Sequence, residues 1–304
     1  MANSSDWIGA LRLRTLPLSI SGILVGSFVA VFQGYWNPII FSLALSTTLL
    51  FQILSNLAND LGDSLKGADN SERVGPMRAV QSGSISKNAM KNAVVLTSLL
   101  SFISAGALIY FGTKNLSATS VYIYIGLAIA SVFAAITYTI GKKAYGYNGL
   151  GDIFVFVFFG LVSVIGVYPL FSDTLSWFLV FPAITIGFLS TAVLNLNNMR
   201  DRENDEKVGK RTLVVKLGAS NAKKYHFFLI ISAFVSWGIF LFLTKNWLGF
   251  ISFLPAILFI KHLVFVAKNS IPKELDSQLK VVALGTFFIS LLFVICVSLN
   301  QWIL

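Results

Sequence analysis

The sequence predicts an all-α polytopic membrane protein. It has nine transmembrane helices, arranged as two four-helix halves plus one, with the N-terminus in the cytoplasm. Three observations carry this. The chain is 56% hydrophobic and 12% charged, with a mean hydropathy of +0.77, about half the charge of a soluble domain. Apolar runs of about 20 residues recur along it, the length that crosses a bilayer. The basic residues gather in every second connection between the runs, on one side.

The spans fall at about 15–33, 38–62, 88–112, 118–141, 151–170, 175–198, 222–244, 247–267 and 279–302. Helices are the expected form, because lipid offers the backbone no hydrogen-bond partners. The runs are too long and too uniformly apolar for barrel strands. Arg12 and Arg14 precede the first span, and Lys66 to Lys87 separate the second from the third. Lys142 and Lys143 follow the fourth, and Arg200 to Lys224 surround the break after the sixth. With nine spans, 21 of the 23 Lys and Arg share one side, and only Lys114 and Lys245 fall on the other. Positive loops stay cytoplasmic, so the C-terminus is expected outside. The net charge of +10 lies on that one face, where topology and anionic headgroups account for most of it. Nucleic-acid binding is excluded for want of a soluble domain, and no segment marks an obligate protein partner.

Cys296 is alone in the last span, so the chain has no disulfide framework and no cysteine metal site. His226 and His262 lack ligand spacing and read as snorkelling or interfacial residues. The N-terminus shows no small-residue cleavage motif and reads as an uncleaved span. The whole of 1–304 reads as one domain, with spans 1–4 over about 15–141 and spans 5–9 over about 151–302. Two hydrophilic stretches, 63–87 and 199–221, are expected to fold over a shared site. Within the first, Gly75-Pro76-Met77-Arg78 reads as a turn that brings Arg78 to the membrane surface. Residues 84–92 read as a capped helix start.

Two acidic clusters point to that site. Asn56, Asp60 and Lys66 reappear 141 residues later as Asn197, Asp201 and Lys207. Residues three or four apart share a helix face, so Asn56, Asp60 and Asp63 line one stripe of span two. Asn197, Asp201 and Asp205 line one stripe of span six and its extension, and Asp69 joins the set if its loop folds back. Carboxylates at the end of a span are costly and mark function. One cluster alone is explained by ion pairs such as Asp201 with Arg200 and Arg202. Two matched clusters favour a metal site. Facing carboxylates repel, and a divalent cation removes that penalty. The donors are hard oxygens, which points to Mg²⁺ with a phosphate-bearing ligand completing its shell.

Basic residues suit the same ligand: Arg14, Lys66, Arg78, Lys142, Lys207, Lys210 and Arg211 all lie on the cytoplasmic side. For any one of them topology is explanation enough. Arg14 and Lys142 sit at the edges of spans, and Tyr138 lies one turn before Lys142 on the same predicted face. Phosphate at an interface over apolar helices points to a lipid diphosphate, its tail among Phe, Leu and Ile of the bundle.

The clusters resemble those of the UbiA superfamily of intramembrane prenyltransferases. Arg12-Leu-Arg14-Thr-Leu-Pro17, Asn56 to Asp63 with Lys66-Gly-Ala-Asp69, Gly146 to Asp152 followed by Phe154 to Gly160, and Asn197 to Asp201 with Asp205 and Gly209-Lys-Arg-Thr-Leu213 resemble its naphthoate branch. Gly67 stands where the hydroxybenzoate branch often carries a third Asp, and Gly141-Lys142-Lys143 replaces a Gly-Gly-Pro. The resemblance implies Mg²⁺-dependent transfer from a polyprenyl diphosphate to 1,4-dihydroxy-2-naphthoate. The ring carboxylate leaves as CO₂, giving demethylmenaquinone for menaquinone biosynthesis. It implies that Asp60, Asp63, Asp201 and Asp205 hold Mg²⁺. Arg14, Asn56, Lys66, Asn197, Asn198, Lys210 and Arg211 then bind substrate, with Tyr138, Arg78 and Lys142 as the catalytic set and Arg78 or Lys142 on the acceptor carboxylate. It places the protein in the bacterial inner membrane with its site on the cytoplasmic side. Two alternatives stay open. One is another branch of the superfamily, with a 4-hydroxybenzoate, haem or chlorophyllide acceptor. The other is a secondary transporter, although transporter carboxylates lie near the midplane and these lie at the edge.

Overall fold

The computed structural model describes residues 3–70 and 72–303, without the side chains of 302 and 303. Among the described residues nine helices are long and apolar enough to cross a membrane, and they match the nine expected spans. Short helix α1 (Ser4–Leu11) precedes α2 (Leu16–Phe32), α3 (Pro38–Leu65), α4 (Lys87–Gly112) and α5 (Ala118–Thr137). The fifth span is α6 (Gly151–Val155), a π-helix over Phe156–Ile165, and α7 (Pro169–Ser172). Then follow α8 (Val180–Lys207), α9 (Leu213–Leu243), α10 (Ala256–Lys268) and α11 (Leu275–Ile303).

The helix starts follow local rules. Asn3 caps α1 and Asp6 answers its backbone in a capping box. Asn37, Ser86, Ser117 and Thr212 accept first-turn amides of α3, α4, α5 and α9. Ser86 thus opens the capped start expected near 84–92. Pro182 sits in the first turn of α8, where a missing N–H goes unneeded.

Two elements depart from expectation. Residues 199–207 are helix, so the second connection shrinks to 208–212. The charges there suit a helix: Arg202 reaches Glu206 one turn on at 3.6 Å, and Lys207 pairs with Glu72 at 2.6 Å. Span five is not regular α-helix. Gly160 of its π-helix lies so close to α8 that a Cβ would stand 2.5 Å from the Ala183 carbonyl and 2.8 Å from Gly187 Cα. The wider turn frees carbonyls, and the Tyr124 hydroxyl donates to that of Gly166 at 2.7 Å.

Helix α2 is the hub. It packs on α3, on the π-helix, on α8 and on α11, so the first span sits among the last ones and closes the bundle. The larger core includes buried Trp237, its ring 5.2 Å from those of Phe240 and Phe293. Its indole N–H donates to Ser252 at 2.8 Å. The two histidines are not interfacial. Both are buried, their Nε2 atoms 2.7 Å apart, and His262 Nδ1 lies 2.8 Å from Gln278 Oε1. Their separation of 36 residues hides a contact made between α9 and α10.

Gly160→Val should destabilise the protein by about 1–3 kcal/mol, because its neighbours are backbone atoms that cannot rotate away. Thermal unfolding in detergent, followed by tryptophan fluorescence, measures this.

Candidate active site

A cavity of about 550 Å³ opens between α3, α5, the π-helix, α8 and the start of α11. Its mouth is polar, with Arg12, Asn56, Asp63, Arg78, Asn197 and Lys210. Its deep end is closed by Ile23, Ala44, Leu108, Tyr124, Val167 and Leu170. Along one wall the rings of Tyr138, Tyr145, Phe154 and Phe158 succeed one another, with centroids 5.3, 3.9 and 6.2 Å apart.

Helical spacing puts the carboxylates at the mouth, and the loops supply cations to meet them. Arg78 Nη1 donates to Asp63 (2.5 Å), to the Asn59 carbonyl (2.9 Å) and to Asp69 (3.1 Å). Arg73 holds the other Asp69 oxygen at 3.1 Å. Asp69 therefore joins the cluster because its loop folds back. Asp60 accepts the backbone N–H groups of Ala79 (3.2 Å) and Val80 (3.3 Å), fixing that loop to α3. In the second cluster Arg200 forks onto Asp201 at 2.6 and 3.0 Å. It also donates to Asn197 at 2.8 Å and pairs with Asp276 of α11. Lys210 lies 3.4 Å from Asp205. The first loop crosses to the second cluster, where Asn204 donates to the Ala68 carbonyl at 3.1 Å. A Cβ on Gly75 would stand 2.5 Å from the Arg200 guanidinium.

Charge balance shows in the ionisation of the loop residues. Burial opposes the charge of Arg78, yet Asp63 and Asp69 outweigh it and hold the group above its ordinary value. Lys210 behaves alike, raised by Asp63 and Asp205 against burial. Burial dominates at Lys66, which is lowered. It dominates too at Asp69, which is raised.

The mouth gathers most of the expected residues. Arg14, Asn56, Asp63, Arg78, Tyr138, Asn197 and Lys210 line the cavity, with Asp60, Lys66, Asp201 and Asp205 beside them in the contacts above and below. Asn198 is buried behind the lining, and Lys207 pairs outside it with Glu72. Lys142 and Arg211 are exposed and outside the lining. Tyr138 and Lys142 do not share a helical face, because α5 ends at Thr137 and Gly141 turns the chain at φ +98°.

Asn56 has a task that spacing did not show. Its amide N–H₂ donates to the Leu11 carbonyl (2.9 Å) and to Thr15 Oγ1 (3.0 Å). Gln52 donates to Asn56 (3.1 Å) and to Thr15 (3.3 Å). Together they brace the α1–α2 turn, where Arg12 adopts φ 50° and ψ 56°. That conformation is costly for a residue with a Cβ and marks functional sites when the surroundings enforce it. Arg12 Nη2 is buried without a partner among the described residues.

Among the described residues no three His, Cys, Asp or Glu side chains form a group that holds a metal by itself. The donor chemistry nonetheless suits a hard dication. Asp205 Oδ2 and Asn204 Oδ1 are buried oxygens without partners, and phosphate oxygens of a ligand complete such shells.

The model of the UbiA prenyltransferase family matches residues 19–292. The chain belongs to the UbiA prenyltransferase family. It is 41% identical over 303 residues to the 1,4-dihydroxy-2-naphthoate octaprenyltransferase of Escherichia coli (strain K12), covering 99% of this chain and 98% of that protein. The enzyme of that name from Haemophilus influenzae is 42% identical over 294 residues, covering 94% of each. The one from Mycobacterium tuberculosis is 34% identical over 73% of each. A solved structure of a digeranylgeranylglyceryl phosphate synthase shares the fold, with a TM-score of 0.58 at 17% identity over 96% of this chain and 98% of that one. The UbiA fold thus replaces the transporter reading.

Removing Arg78 would leave two buried carboxylates short of a cation. Arg78→Ala should destabilise the fold by about 3 kcal/mol, and Arg78→Lys by less. Ligand-free thermal unfolding of both variants checks the order.

Proposed function

We propose that this UbiA-family enzyme transfers a polyprenyl group from polyprenyl diphosphate to 1,4-dihydroxy-2-naphthoate, with loss of the ring carboxylate, in menaquinone biosynthesis. The observation that carries the acceptor assignment is the 41% identity to the Escherichia coli naphthoate enzyme across 99% of the chain. The cavity agrees with it: a charged mouth for two anions stands over an apolar interior for a tail. The bias of 21 basic residues to 2 supports a cytoplasmic mouth, and the bacterial relatives support the inner membrane.

Asp60, Asp63, Asp201 and Asp205 would hold magnesium with the diphosphate, the usual dependence of this family. Bound there, the ion neutralises charge on the diphosphate. Lys66, Lys210 and Arg78 add positive charge where the leaving group gains it. The bond between the tail's first carbon and the diphosphate oxygen breaks, and the oxygen keeps the electron pair. The ring carbon that carries the carboxylate attacks the allylic cation. CO₂ then departs, leaving demethylmenaquinone in its quinol form. Tyr138, Tyr145 and Phe154 present π faces beside the cation and flat surfaces to the naphthoate ring.

The acceptor carboxylate falls to Arg12. It lines the mouth of the cavity, and its Nη2 is buried without a partner among the described residues. Asn56 acts by bracing the Arg12 turn and Asn197 by orienting Arg200. Lys142 in its exposed turn is left without a substrate role.

The deciding experiment supplies purified protein in nanodiscs with a polyprenyl diphosphate, Mg²⁺ and dihydroxynaphthoate. Prenylated, decarboxylated product should form and should vanish with a chelator. Asp60→Ala and Asp201→Ala should each lower the rate at least about 10²–10³-fold. Arg12→Lys should raise the acceptor KM about tenfold, because a point charge replaces a planar fork, while Lys142→Ala leaves it within about twofold. Preferential prenylation of 4-hydroxybenzoate would overturn the acceptor assignment.

A further inference from the structure

Tyr147 stands where the two acidic clusters meet, and no part of the proposed reaction uses it. It lies in the short 3₁₀ turn Tyr145–Asn148, closed by Gly149 at φ +77°. Its hydroxyl donates to Asp63 Oδ1 at 2.7 Å. The Lys66 ammonium lies 4.0 Å from its ring centroid and the Lys210 ammonium 5.5 Å. Its carbonyl accepts the Arg211 N–H at 3.1 Å, which ties this turn to the 208–212 connection. Lys66 forms no ion pair among the described residues, so the ring is what holds it. Lys210 lies between that ring and Asp205, 3.4 Å away.

We propose that Tyr147 is the positioning residue of the diphosphate grip: its ring holds Lys66 and Lys210 together while its hydroxyl fixes Asp63 beside them. Two ammonium groups repel one another, and carboxylates alone would pull each toward its own cluster. A π face attracts both without neutralising either. The positive charge then stays available to a diphosphate. The hydroxyl leaves the second Asp63 oxygen to Arg78, so one ring orders groups from α3 and from the α8–α9 connection. The inference rests on the reading of this mouth as a diphosphate site and adds the residue that shapes it.

The test is binding of inorganic pyrophosphate with Mg²⁺ to the full-length protein in nanodiscs by titration calorimetry, with the KM of each substrate measured alongside. Tyr147→Phe keeps the ring and loses the bond to Asp63, and should weaken pyrophosphate about tenfold. Tyr147→Leu loses both and should weaken it about a further threefold to fivefold. The KM for polyprenyl diphosphate should rise in parallel, with the naphthoate KM unchanged. Wild-type affinity in Tyr147→Leu would overturn the proposal. So would equal losses for both substrates together with a lowered melting temperature in Tyr147→Phe, the mark of a merely structural role. If the wild-type protein itself binds no pyrophosphate, the diphosphate reading of the mouth fails and Tyr147's role with it.

Discussion

Carboxylates are hard to keep at the edge of a hydrocarbon slab, and the rest of this structure follows from keeping six of them there. Asp60, Asp63, Asp69, Asp201, Asp205 and Asp276 gather at one end of the bundle, all but Asp276 buried or nearly so. Each is answered by an arginine, a lysine or a pair of backbone amides. Burying a bare carboxylate is prohibitive, whereas a hydrogen-bonded ion pair is tolerable. That constraint explains why the 66–86 loop folds down onto α3, why α8 extends beyond its apolar run, and why Arg200 bridges α8 to α11. The loops act less as connections than as the counter-charge of the site.

The same arrangement divides the cavity. Charge is confined to the mouth, and below it the lining turns aromatic and then aliphatic. A ligand with an anionic head, a reactive allylic junction and a long tail meets each zone in that order. The irregular fifth span contributes to all of this. It places Phe154 of α6 and Phe158 of the π-helix on the wall, and its close approach at Gly160 and Gly187 packs it on α8.

What the sequence made legible is what a single helix determines. Hydropathy gave nine spans, and spacing put Asn56, Asp60 and Asp63 on one face of α3. The cap at Ser86 is a local signal and is legible in the sequence. What escaped depends on contacts between distant segments. Asn56 braces Leu11 and Thr15, 45 and 41 residues away. Tyr147 meets Asp63 across 84 residues, and no spacing rule predicts either. The π-helix leaves no trace in hydropathy, because its residues are as apolar as those of a regular span. Tyr138 and Lys142 do not share a helical face, because α5 ends at Thr137. Gly141 permits a left-handed turn that a continuous helix face ignores. At 199–207 charge density hides how far α8 runs, and Arg202 and Glu206 pair along it.

The central claim is that the two clusters form one site, with carboxylates from α3 and α8 acting on a shared metal–diphosphate unit. The most direct measurement is a structure with Mn²⁺ in place of Mg²⁺ and an unreactive polyprenyl thiodiphosphate, the ion located by its anomalous signal. The account predicts manganese at the mouth, bound to the diphosphate and to carboxylates from both clusters, with Asp63 and Asp205 among them. Manganese held by one cluster alone, or a diphosphate seated away from Lys66 and Lys210, would contradict it.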